Sequence, residues 1–127
     1  MKIIPLLVLI LLTSLTSQSG LCQSQAEMNM ETSAELERED KILNTTYQKL
    51  LTDRAGEAQF CTNLRDAQRA WLKFVELHLN STFPLEDGES PREKYGSVYP
   101  SEFAIIKTEL IQARIEQLKA LSGEEGQ

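Results

Sequence analysis

The chain has 127 residues, with 13 basic against 19 acidic side chains and a formal net charge of −6 at pH 7. That length suits one domain. The charge disfavours nucleic-acid backbones and favours basic partners, and one His with two Cys cannot supply a closed zinc shell.

The N-terminus reads MKIIPLLVLILLTSLTSQSGLCQSQA. Lys2, then an apolar run from Ile3 to Leu12, then small and polar residues follow the layout of a secretory signal peptide over residues 1–22. Pro5 and Thr13 leave the run too short to span a bilayer comfortably. Gly20 with Cys22, or Ser24 with Ala26, suits the cleavage rule. Lipidation of Cys22 is the minor alternative, since Leu21 precedes it, and only lipidation would bring a membrane into play. Removing residues 1–22 takes away Lys2 and no acid, which leaves 12 basic residues against 19 acids and a charge of −7. It also leaves Cys61 as the lone thiol, expected to be a small buried hydrophobe.

Residues 23–31 show no apolar period and are expected to be a flexible segment. At Thr32 the stretch TSAE forms a capping box with Glu35. Leu36, Leu43, Tyr47 and Leu50, widened by Ile42 and Leu51, predict a first helix from Thr32 to Asp53. Gly56 favours a turn near 53–57, with a continuous kinked helix as the alternative. The second helix is predicted from Glu57 to Asn80, on Phe60, Leu64, Ala67, Trp71, Phe74 or Val75, and His78. Along that helix Cys61 and His78 lie 17 residues apart, roughly 25 Å, too far for a Cys–His pair.

Residues 81–100 hold three prolines, two glycines and four acids. They read as a long, helix-free connection, a usual place for binding loops. EDGE at 86–89 lacks the ligand spacing of an EF-hand. The last helix restarts at Ser101 as N-cap and buries Phe103, Ile106, Leu110, Ala113 and Leu121, with Ile111 and Leu118 beside them. Gly123 stops it, and residues 122–127 form an acidic tail.

The expected fold is all-α, a small antiparallel bundle of three main helices over residues 32–121, with a long loop before the last. Trp71 is its largest candidate core side chain, and Trp71→Ala is expected to cost about 3–5 kcal/mol. No glycine loop cradles a phosphate, and His78 lies within a packing stripe. No catalytic, cofactor or metal residue is assigned, and the chain is read as a non-enzyme. Arg65, Asp66, Gln68, Arg69, Lys73 and Glu76 make a polar network on the second helix, with Gln68 and Arg69 placed to tie it to the first.

Asp40 with LNTTYQKL (43–50), LRDAQRAWLKF (64–74), YGSVYP (95–100) and ARIEQLKAL (113–121) resemble the LprI-type lysozyme-inhibitor domain of bacterial secreted proteins. The resemblance runs from about Met28 to Leu121. It carries Asp40, Asn44, Tyr47, Gln68, Arg69, Trp71 and Arg114, which suit a buried polar network around the indole. Where relatives carry cysteines or their neighbours, this chain has Glu31, Val75 and Leu79, and Leu110–Ile111 replaces a Leu–Thr pair. It therefore resembles a branch without the family's disulfides. The resemblance implies a helical, exported domain, periplasmic or secreted, that binds a protein partner such as a basic, lysozyme-like hydrolase. The acidic loop is the expected contact, with Glu86, Asp87 and Glu89 facing a cationic cleft and Tyr95 or Tyr99 as aromatic anchor. The alternative is an envelope structural or assembly protein with no inhibitory target.

Overall fold

The computed structural model describes residues 18–123. The basic start and apolar run of the expected leader, and residues 124–127 of the tail, lie outside the described residues. The elements are α1 (Gln18–Asp53), α2 (Ala58–Thr82), the five-residue α3 (Pro91–Tyr95), a 3-10 turn (Gly96–Val98) and α4 (Tyr99–Ser122). The protein is an all-α bundle of three long helices.

Contacts at the helix ends set the directions. Gln25 Nε2 donates to Ser101 Oγ (3.2 Å) near the starts of α1 and α4, and Arg54 Nη1 donates to Leu121 O (3.4 Å) near their ends. These two helices therefore run parallel, and they share the most extensive contact in the molecule. α2 runs against both. The Cys61 thiol near its start donates to Arg54 O (3.3 Å), and Phe83 at its end lies 5.1 Å from the Tyr99 ring.

The core is aliphatic. Leu43 and Leu50 of α1, Leu64 of α2, and Ile111, Ile115 and Leu118 of α4 form it, with Leu36, Tyr47, Leu51, Phe60 and Trp71 packed on its margin. Leu118 is wholly buried and Ile111 is 1 % exposed. Trp71 is only half-buried. The indole borders the core, whose centre is the inner face of α4. Cys61 is buried and free, as the sequence implied.

Three expectations change. First, residues 23–31 are helical, within α1. Polar contacts order them where an apolar stripe is lacking: Gln25 Nε2 also donates to Asn29 Oδ1 (3.0 Å), and Asn29 Nδ2 donates to Ser97 O (3.1 Å). Thr32 is thus no cap. Its hydroxyl donates back to Met28 O (2.8 Å), and Glu35 pairs with Arg38.

Second, the buried face of α4 is Ser101, Ala104, Thr108, Ile111, Ile115 and Leu118. That series has steps of three and four, as one helix face requires. Phe103, Ile106 and Leu110 flank it half-buried, and Ala113 and Leu121 are exposed. On α2, Val75 is the buried choice, while Ala67, Phe74 and His78 are exposed. Third, residues 81–100 are not free of helix. α2 runs to Thr82, α3 and the 3-10 turn follow, and α4 starts at Tyr99 with Pro100 in its first turn, where a missing N–H costs nothing. Ser101 sits inside α4 and its hydroxyl donates to Val98 O (2.8 Å). Gly96 adopts φ 77°, a left-handed value that lets the chain pass from α3 into the turn.

Candidate functional site

The sequence-expected residues that the structure brings together lie in two places, and a third place holds none of them. The first is the loop end of the bundle. Phe83, Tyr95, Tyr99 and Phe103 make an aromatic cluster there. Phe83 meets Tyr95 and Tyr99 edge-on at 5.5 and 5.1 Å, and Tyr95 stacks on Tyr99 at 5.9 Å. The Tyr95 hydroxyl donates to Pro84 O (2.6 Å). Both tyrosines are half-buried among these rings, and their packing holds the loop on the bundle.

The acids of the loop divide. Glu89 accepts from the Glu86 backbone N–H (2.7 Å) and from Lys94 Nζ (2.6 Å). Those two donors, the backbone one foremost, hold its carboxyl below the ordinary glutamate range, against a smaller opposing effect of desolvation. Glu89 thus closes the loop on itself. Glu86 and Asp87 stand exposed at the tip.

The second place is the α2–α4 seam. Arg114 Nε donates to Gln68 Oε1 (3.0 Å), and Arg114 Nη1 donates to Gln117 Oε1 (3.0 Å). Gln68 is buried, and Arg114 Nη2 is buried with no hydrogen-bond partner among the described residues. Burial lowers the guanidinium's affinity for its proton, and the nearby Tyr47 opposes that. Of the rest of the expected network, Tyr47 and Trp71 pack half-buried on the core margin, whereas Asp40, Asn44 and Arg69 are on the surface. Asn44 Nδ2 bonds its own helix at Asp40 O (3.0 Å) and Oδ2 (3.2 Å), both residues being exposed, and Arg69 is 75 % exposed beside Asp66 at 3.5 Å. Gln68 ties α2 to α4, not to α1, and Arg69 ties nothing. A 3.6-residue period turns Arg69 about 100° away from Gln68, which takes it off the seam.

The third place carried no apolar signal. A groove of about 290 Å³ lies between α1 and α4, lined by Glu31, Thr32, Glu35, Ile105, Thr108 and Glu109. Thr108 is the deepest of these, 7 % exposed, and its Oγ1 is buried without a hydrogen-bond partner among the described residues. The pairs Glu31/Glu35 and Ile105/Glu109 are each one turn apart, so each pair shares a helix face. A charge count per helix face would have found the carboxylates, but the neighbour across the groove depends on α1 and α4 being parallel.

Arg54 was also missed. Its guanidinium binds both carboxylate oxygens of Glu57 and lies 4.0 Å over the Phe60 ring. Glu57 is held below its usual range by that hydrogen bond, and Arg54 is raised by it. The fork of donors, matched to a carboxylate three residues on, stitches the α1–α2 turn. Among the described residues no group of three or more His, Cys, Asp or Glu is placed to hold a metal ion, and no helix is long and apolar enough to cross a membrane.

Three helices around an aliphatic core, with acids on the surface and in one lateral groove, define a small all-α bundle domain. Its family is shown by the match to the model described as lysozyme inhibitor LprI, which spans residues 17–118. The chain belongs to that family, a family of inhibitors. Neither a curated protein nor a solved structure matches it.

Proposed function

We propose that this domain binds and inhibits a basic cell-wall hydrolase of the lysozyme class. The family match over residues 17–118 carries the reading. The net charge of −6 supports it, because an acidic surface steers a cationic enzyme into encounter. Glu86 and Asp87, exposed at the loop tip, are rim contacts in this proposal, and Glu89 shapes the loop that presents them. Tyr95 and Tyr99, half-buried in the aromatic cluster, hold that loop on the bundle. Residues 1–22 are proposed as the export signal that delivers the domain to the envelope, with lipidation of Cys22 the less favoured route. An intact mass of the mature protein distinguishes the two.

The test is a lytic assay on cell walls, with the protein in excess over lysozyme at low ionic strength. The expected result is a slower lysis that salt restores. An unchanged lysis rate at every protein concentration removes the reading.

One observation favours a second reading, an assembly protein without an inhibitory target. Leu72, Phe74 and Leu77 of α2 are each at least half exposed. A mass by light scattering that rises with concentration, together with an unchanged lysis rate, would select it.

A further inference from the structure

We propose that the groove between α1 and α4 receives one cationic side chain, an arginine or a lysine, of the protein this domain binds. The proposal rests on the binding reading above and names the chemistry of its contact. The first observation is charge. Glu31 and Glu109 face the groove from opposite helices, and neither has an ion-pair partner among the described residues, whereas Glu35 shares its charge with Arg38.

The second observation is Thr108. A threonine inside a helix commonly satisfies its hydroxyl on the carbonyl four residues back. Thr32, Thr52 and Thr82 of this chain do so, on Met28, Gln48 and His78. Thr108 does not, although it is the most buried residue of the groove. A buried hydroxyl without a partner is costly unless something arrives to bond it. Rotation of the Thr108 side chain about Cα–Cβ would present that hydroxyl to an N–H donor in the groove.

The third observation is shape. Carboxylates on both walls of a groove of about 290 Å³ suit an extended cation that carries several donors. A guanidinium has five and an ammonium three. Ile105 supplies an apolar wall for the methylene stem that either side chain brings. Glu31 lies two residues from Asn29, which bonds Ser97 below the loop, so groove and loop share one half of the bundle.

The test compares lysozyme affinity, by calorimetric titration, of the wild type, Thr108→Val, Glu31→Gln/Glu109→Gln, and a control of equal charge change on α2, Asp66→Asn/Glu76→Gln. The groove double variant is expected to bind roughly tenfold more weakly than the control. Thr108→Val is expected to lose affinity severalfold while its melting temperature holds or rises, since it removes an unsatisfied buried hydroxyl. In parallel, N-acetyl-arginine methylamide is titrated into the wild type, with the Thr108 methyl followed by NMR. A shift that the groove double variant loses is expected. Groove variants that bind like the control overturn the proposal, as does a Thr108→Val protein that melts lower with intact affinity. If the wild type binds no lysozyme, the inhibitor reading fails by itself. The methyl shift then decides the groove alone: present, it supports the cation receptor, and absent, it overturns it.

Discussion

α2 and α4 are nearly equal in length, 25 and 24 residues, yet they serve the bundle differently. α4 lies along α1 over most of its length and also meets α2, so its inner face contains the two most buried side chains, Ile111 and Leu118. α2 touches the pair through one strip, Cys61, Leu64, Gln68, Val75 and Leu79, and leaves Leu72, Phe74 and Leu77 at the surface. The helix with the richest aromatic content is therefore a flank. Stability is concentrated where two helices enclose a third, whatever the size of the side chains on the outer one.

The largest expected effect tests that asymmetry. Leu118→Ala removes a fully buried side chain from the three-helix junction and should cost about 2–5 kcal/mol. In a domain this small such a loss approaches the whole stability. Trp71→Ala removes more atoms from a half-buried margin, and it should cost about 1–3 kcal/mol, less than a fully enclosed indole. Urea unfolding of both variants ranks them. A Trp71→Ala loss larger than that of Leu118→Ala would place the centre of the core on α2 and break the comparison.

The seam between the two helices gives a smaller effect. Arg114→Met leaves buried Gln68 without its donor, an unsatisfied group worth about 1–3 kcal/mol. Adding Gln68→Leu should recover most of that, because Arg114 brings a buried, unpartnered Nη2 of its own. A double-mutant cycle reads the coupling. Additive losses would mean that the two side chains do not act as a pair.

Much of the fold was legible in the sequence, and the part that was not has a common cause. Apolar periodicity located all three long helices and marked Leu43, Leu50, Leu64, Ile111 and Leu118 as buried. It failed at 23–31, where side-chain amides make the long-range contacts, Gln25 to Ser101 of α4 and Asn29 to Ser97 of the 3-10 turn. It shifted the face of α4, because Ser101 and Thr108 occupy buried positions that an apolar template skips. Among the site residues, Gln68 with Arg114 was visible through the family pattern. Asp40, Asn44 and Arg69 shared that pattern, yet they lie on the surface. The groove was invisible, since Glu31 and Glu109 are far apart in sequence and become neighbours only once α1 and α4 pair in parallel.

The smallest effect belongs to the loop, and it is one of pH. Glu89 is held below the ordinary glutamate value of 4.5 by the Glu86 N–H first and by Lys94 second. A carboxyl depressed in the folded state stabilises above its unfolded pKa, and the contribution disappears as pH falls through the folded value. The loop should therefore be fully closed above pH 4.5 and loosen at lower pH. This group is solvent-exposed, so the change is local and the helices persist through it. NMR shifts of the Tyr95 and Tyr99 rings should move in that acid window while the Leu118 methyls stay still. Glu89→Gln should abolish the tyrosine transition and leave the loop loosened at neutral pH, because a neutral amide holds the Glu86 N–H and Lys94 less strongly. Core methyls that move together with the tyrosines would show that loop and bundle open as one unit, and that the aromatic end has no stability of its own to lose.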